Sequence, residues 1–193
     1  MSPGWEAGGE RAIVDAARAG DESALAELYK LYFPRVYRYI LARMGNPYDA
    51  EDLTVEVFLR VLDAIKRFQW REAPFSAWLF RIAHNAVVSQ RRKEGARGRS
   101  WPLSEALPVD SQGPEEMVET QLALNEIMRA AETLPEAQRR VISLRFAAGL
   151  SVAETARSMG KGEGNVKVIQ HKAIAKLREM LNQRPKVYGK GRV

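Results

Sequence analysis

Apolar side chains recur along much of the chain every three or four residues, the period of a helix with one buried face, and no segment reads as an alternating strand. Leu25, Leu28, Leu31 and Tyr32 share one face behind Asp21 or Ser23, either of which can cap the first turn. Pro34 suits the first turn of a following helix carrying Val36, Tyr39, Ile40 and Arg43, stopped by Gly45-Asn46-Pro47. A third helix is predicted from about Asp49, with Leu53, Val57, Val61, Leu62, Ile65 and Phe68 on one stripe. A fourth is predicted from about Phe75 through Leu79, Ile82, Ala86 and Val87 to Arg91-Arg92-Lys93, where cations suit the negative end of the helix dipole. The predicted fold class is all-α.

The pattern stops between about 95 and 116, where Gly95, Gly98, Ser100, Pro102, Ser104, Pro108, Ser111, Gly113 and Pro114 crowd together. Such a stretch has too few apolar groups to offset its ordering entropy. It reads as an extended linker between two small helical domains. Helical periodicity resumes in the last third. There Ser151 and Glu154 form the signature of a capping box, opening a short helix with Val152, Ala153 and Ala156. Gly160-Lys-Gly-Glu-Gly breaks it, and a long helix follows with Val166, Ile169, Ala173, Leu177 and Leu181 on its buried side.

Charge sharpens this division. Residues 66–93 hold Lys66, Arg67, Arg71, Arg81, Arg91, Arg92 and Lys93 against Glu72, whereas residues 101–120 hold acids and no Lys or Arg. The last block, 161–193, is again basic, and the whole chain carries +6, which favours an acidic partner such as nucleic acid. The absence of cysteine excludes disulfides, thiolate catalysis and Cys-ligated zinc. Two histidines, His84 and His171, leave little for a histidine metal site or catalytic triad. No catalytic residue, metal or cofactor is therefore expected. Apolar runs fall short of the roughly 18 residues of a membrane span. MSPGWEAGGER has no apolar core after a basic start, so no signal peptide is expected and the chain reads as cytoplasmic.

Three constellations carry candidate chemistry. Asp49, Asp52 and Glu56 fall at helical spacing opposite the apolar stripe, with Glu51 beside them. They fit a solvated helix face, a docking patch for a basic helix, or, least well, carboxylates for a divalent cation. The second lies in residues 68–93, where Phe68, Trp70, Phe75, Trp78 and Phe80 interleave with Arg71, Arg81 and His84. Cations that track phosphates beside rings that hold unstacked bases suit single-stranded nucleic acid. The competing reading makes Phe75, Trp78, Leu79 and Ile82 core residues, leaving Gln69–Pro74, Asn85, Ser89 and Arg92 for contact. In the third, the short helix, tight turn and long helix of 150–181 form either a helix-turn-helix or an ordinary helical hairpin. The long helix presents Lys167, Val168, His171 and Lys172, which suit a major groove and its phosphates.

Residues 50–68 (AEDLTVEVFLRVLDAIKRF) and 74–93 (PFSAWLFRIAHNAVVSQRRK) resemble conserved region 2 of bacterial RNA polymerase sigma factors, and residues 134–181 are similar to their region 4. Two regions and a short linker resemble the extracytoplasmic-function class. The resemblance implies a division into an extension (1–20), region 2 (21–94), a linker (95–119), region 4 (120–182) and a basic tail (183–193). It implies that Asp49, Glu51, Asp52 and Glu56 dock on the β′ clamp helices of core RNA polymerase, with region 4 reaching the β flap. Phe68, Trp70, Arg71, Arg81, His84, Asn85, Ser89 and Arg92 match the part that melts and reads the −10 element, with Asn85 at a pocket for a flipped base. Lys167, Val168, His171 and Lys172 match the helix that reads the −35 element. Promoter DNA and an anti-sigma factor are the other implied partners. Where many relatives have Ser-Arg this chain has Val168-Ile169, and Gly162 stands where a larger residue is usual, so a −35 sequence does not transfer.

Overall fold

The computed structural model describes residues 7–70, 73–95, 127 and 130–183. Helices α1 (Ala7–Ala19), α2 (Glu22–Met44), α3 (Pro47–Ala64) and α4 (Phe75–Gly95) form an N-terminal bundle, with a 3₁₀ turn (Ile65–Arg67) after α3. The C-terminal part contains α5 (Glu136–Ile142), running directly into a π-helical segment (Ser143–Ala147), then α6 (Val152–Met159) and α7 (Glu163–Asn182). Among the described residues no strand occurs, and no helix is long and apolar enough to cross a membrane. Of the expected linker (95–119) and basic tail (183–193), Gly95 ends α4 and Gln183 caps the last helix, and residues 96–119 and 184–193 lie outside the described residues.

The two helices expected on either side of Pro34 are one continuous helix of 23 residues, capped by the Asp21 carboxylate, which accepts from the Ala24 amide. Pro34 removes one rung of the ladder, leaving the Lys30 carbonyl without its amide. Lys30 and Pro34 both face solvent, so water can satisfy that carbonyl. On the other face Leu28, Tyr32, Val36, Tyr39 and Ile40 pass unbroken through the core, and their burial outweighs the lost bond. The helix ends at Gly45, whose φ of 77° only glycine adopts without strain.

Asn46 then caps α3, accepting from the amides of Tyr48 and Asp49. The α3 stripe forms as expected at Leu53, Val57, Val61, Ile65 and Phe68, but Leu62 is a correction: it points outward. The predicted capping box is present, with Ser151 accepting from the Glu154 amide and the Glu154 carboxylate accepting from the Ser151 amide. Gly160, at φ 63°, closes α6 in a left-handed cap.

The C-terminal helices hold two small apolar clusters of their own, one around Ala130, Leu134, Ala173 and Leu177, the other joining Val141, Ala156 and Val166. Leu144, Ala148 and Leu150 instead join the large N-terminal core. The π segment and the turn that follows it, to Leu150, are therefore the wedge by which the second domain seats on the first.

Candidate nucleic-acid interface

The expected strand-capture residues divide sharply in exposure. Arg81, Asn85, Ser89 and Arg92 are exposed along one side of α4 at spacings of three and four. Phe68 is a correction: at 3% exposure it is core, its ring 5.0 Å from Trp70, 5.5 Å from Phe75 and 5.2 Å from Trp78. It extends the α3 stripe by one more turn, as its register predicts, and that burial overturns its second reading as a contact for the −10 element. The competing core reading holds for Phe75 and Leu79, while Trp78 and Ile82 are half-buried. Arg71 lies outside the described residues.

Trp70 is half-buried and fixed. Its indole N–H donates to Asp15 Oδ1 at 2.9 Å, and the Arg11 guanidinium lies 5.6 Å from its ring centroid. That hydrogen bond, with the Arg18 and Arg11 charges, holds the Asp15 carboxyl below its usual range despite an opposing desolvation cost. Helix α1, for which the sequence offered no role, thus anchors the start of the loop leading to α4. The signal was faint: Asp15 and Arg11 are one turn apart, but their partner is distant in the chain.

His84 is half-buried, its Nδ1 3.3 Å from the Tyr39 hydroxyl. Burial, followed by the Arg140 and Arg43 charges, lowers its pKa to about 4, so it is neutral at ordinary pH. Its neighbours belong to a seam that the sequence did not disclose. Arg43, its side chain 1% exposed, pairs with Glu136 Oε1 of α5 at 2.5 Å, and Arg139 holds the other carboxylate oxygen at 2.6 Å. Arg91 donates to the Arg43 carbonyl at 2.6 Å. Further along, Arg35 donates to the carbonyls of Ala148 (2.9 Å) and Gly149 (3.4 Å), and Arg38 to that of Ala147 (3.1 Å). Ser76 donates to the Glu154 carboxylate at 2.6 Å, and Arg81 to the Arg157 carbonyl at 3.4 Å. The α4 side expected to face DNA is thus partly covered by α6.

The other two constellations are open. Lys167, Val168, His171 and Lys172 all project from α7 into solvent, opposite buried Val166, Ala173 and Leu177; Ile169 and Leu181 are half-buried. On α3, Glu51 and Asp52 are exposed, Asp49 is half-buried, and Glu56 pairs with Arg60 at 2.5 Å. Among the described residues no cluster of three or more His or carboxylate side chains could hold a metal. Beside these acids runs an exposed apolar stripe the sequence reading missed: Val55 (44%), Leu59 (57%) and Leu62 (46%). Their spacing of four and three was the available signal, masked because Leu62 adjoins the core residue Val61. The stripe borders an apolar cleft of about 220 Å³ lined by residues including Leu25, Tyr29, Phe58 and Leu62.

Comparison with known families decides what these faces belong to. Residues 28–97 match the Sigma-70 region 2 family and residues 130–179 match Sigma-70, region 4. The chain is 37% identical over 188 residues to the ECF RNA polymerase sigma factor SigD of Mycobacterium tuberculosis, covering 93% of this chain and 88% of that protein. The chain belongs to the extracytoplasmic-function sigma factors. It is also 40% identical over 174 residues to the sigma factor BldN of Streptomyces coelicolor, spanning 88% of this chain but only 64% of BldN. In fold this sigma factor resembles RpoE of Bartonella quintana, solved with the anti-sigma factor NepR, at a TM-score of 0.65 and 24% identity, covering 83% of this chain and 98% of that one. In this sigma factor α1 precedes the region 2 match, and α5, the π segment, α6 and α7 fall within or just beyond the region 4 match.

Proposed function

We propose that this sigma factor, itself without catalytic activity, binds core RNA polymerase and directs it to promoters. In this reading region 2 (21–94) opens and captures the −10 region and region 4 (120–182) reads the −35 duplex. The observation that carries it is the presence, in order on one chain, of matches to both regions. Transcription by purified core polymerase from a promoter library, with and without the protein, tests it. Protein-dependent initiation at a shared promoter pattern is expected, and the same start sites without the protein would overturn it.

Polymerase docking is assigned to α3. The exposed Val55–Leu59–Leu62 stripe suits an apolar helix face, and Asp49, Glu51, Asp52 and Glu56 rim it for a basic partner such as the β′ clamp helices. Glu51 and Asp52 have no salt-bridge partner among the described residues, whereas Glu56 is taken by Arg60. Exposed pairs contribute only about 0.2–1 kcal/mol each, so reversing Glu51 and Asp52 together is the informative change. It should weaken competition for core polymerase by several-fold while helical content stays unchanged.

Region 4 would contact the β flap as well as DNA. Replacing Lys167 and Lys172 together with alanine should weaken duplex binding and flatten its dependence on log salt by about one unit per lost phosphate contact. Fluorescence anisotropy across a salt series reads this directly. His171 and Val168, between them on the same face, are the candidates for base edges.

Asn85 is exposed on α4, with an amide that offers donors and an acceptor to the edge of an unstacked base. Asn85→Ala should relax preference at one −10 position, removing about 1–3 kcal/mol of discrimination, and leave −35 binding intact. Transcription from promoters varied at each −10 base measures it; a uniform loss would return Asn85 to a structural role. An anti-sigma factor is a further proposed partner, supported by the fold shared with RpoE, which was solved with NepR. Cytoplasmic action follows from the polymerase partnership.

A further inference from the structure

The arginines on the seam face an unusual set of acceptors. Arg35 and Arg38, one turn apart on α2, and Arg81 on α4 donate to four backbone carbonyls of the C-terminal domain: Ala147, Ala148, Gly149 and Arg157. The Ala147, Ala148 and Gly149 carbonyls lie at or just past the end of the π segment, where the last groups of a helix lack an intrahelical partner and carry partial negative charge, while the Arg157 carbonyl, in the last turn of α6, already accepts the Gly160 amide at 3.3 Å. None of the three arginines has a carboxylate within salt-bridge distance among the described residues. Two of the four bonds are long, at 3.4 Å. Three full charges are therefore held by the partial charges of backbone carbonyls, Arg81 by a long bond alone, while the guanidinium fork is matched to phosphate. Arg35 is further steadied 5.3 Å above the Tyr32 ring.

We propose that Arg35, Arg38 and Arg81 form a phosphate track for the DNA backbone, which the helix-end carbonyls of the C-terminal domain occupy when the two domains are packed together. Domain closure and DNA binding by the N-terminal bundle then compete for the same guanidinium groups. A phosphodiester displaces the carbonyls because it brings a full charge. The track continues the exposed polar side of α4, so DNA held at Asn85 and Arg92 would have its backbone carried onward by Arg81. This inference rests on the proposed DNA-binding function, and extends it to two α2 residues outside the expected contact set.

Phosphate contacts are independent of sequence, so the test needs no promoter consensus. The full chain is titrated into a labelled random-sequence 30-base-pair duplex across a salt series, with X-ray scattering reporting closure. Glu136→Ala, and separately Ala148→Trp, open the seam without touching the track, so at least one arm reports if the other stays compact. The opened protein should bind more tightly and with a steeper salt dependence than the parent. Adding Arg35→Ala and Arg38→Ala to it should then flatten that slope by about two units, near 0.9 per phosphate. An opened protein that binds no better than the parent overturns the proposal, as does a slope unchanged by removing the two arginines. Displacement of the duplex by inorganic phosphate at matched ionic strength would make this a small-anion site and also overturn it. If Lys167 and Lys172 prove equally silent in the same assay, the DNA-binding function itself fails. If they alone respond, only this track does.

Discussion

Replacing Glu136 with alanine should release the C-terminal domain from the bundle. Arg43 has a side chain only 1% exposed, Glu136 Oε1 at 2.5 Å, and no hydrogen-bond partner at Nε or Nη1. Removing the carboxylate leaves a buried cation without compensation, which costs roughly 3–5 kcal/mol where the partner is fully buried. Glu136 is itself half-exposed, so the lower end of that range applies. Arginines crowd the same place: burial, with the Arg139 and Arg43 charges, lowers the pKa of Arg91, and burial, with the Arg43 and Arg81 charges, lowers that of Arg140. The loss should appear as a larger radius of gyration and faster amide exchange in α2, with each domain's helical content kept.

Acid should act in the same direction. Burial tends to raise the Glu136 carboxyl, but the Arg139 hydrogen bond and the Arg43 charge and hydrogen bond overturn this and hold it below its usual range. Its contribution is therefore present at neutral pH and lost as pH falls through that depressed value. Burial and the Arg140 charge of the C-terminal domain help to hold His84 at about 4 in the packed protein, so release lets its pKa rise toward the ordinary value of about 6.5 and protons favour release in that interval. His84 therefore weakens closure as pH drops from about 6.5 toward 4, and Glu136 adds to this only at still more acid pH, below the ordinary carboxylate range.

The second large effect is on folding. Phe80 is fully buried, its ring edge-on to Tyr39 at 5.5 Å between centroids. Phe80→Ala should cost about 3–5 kcal/mol through lost burial and the cavity left behind. For a chain of this size that lowers the melting temperature by roughly 10 °C. Leu59→Ala, on the exposed stripe, should change it little. Equal shifts for the two would mean that the docking stripe is packed in solution, against a second copy or the C-terminal residues. Differential scanning calorimetry distinguishes the cases.

Local rules made the helices legible. Capping residues, glycine stops and the 3.6-residue period placed α3, α4, α6 and α7 because each depends on residues within a few positions of one another. Pro34 misled because its local cost is real but smaller than the burial of one continuous face, which only packing reveals. Phe68 carried two readings, and the local one held: its register with Val61 and Ile65 puts it in the core, against the contact role that its aromatic neighbours and the family resemblance suggested. Leu62 was misassigned because two adjacent apolar residues cannot both face one direction on a helix. The seam was invisible because its pairs are far apart in the chain, as with Arg43 and Glu136 or Ser76 and Glu154, and because most of its acceptors are backbone carbonyls that any sequence supplies.

The capping box on α6 bears on how quickly the molecule can respond. Ser151 and Glu154 satisfy one another within the C-terminal domain, and the contact from Ser76 to Glu154 is additional to that exchange. When the domains part, Ser76 loses a partner but α6 keeps its cap, and the Val141–Ala156–Val166 cluster stays whole. Release therefore requires no helix to melt and reform. It is a rigid-body departure, limited by breaking the arginine contacts and wetting the apolar wedge, and belongs to the microsecond-to-millisecond range of domain motions rather than to the slower scale of refolding.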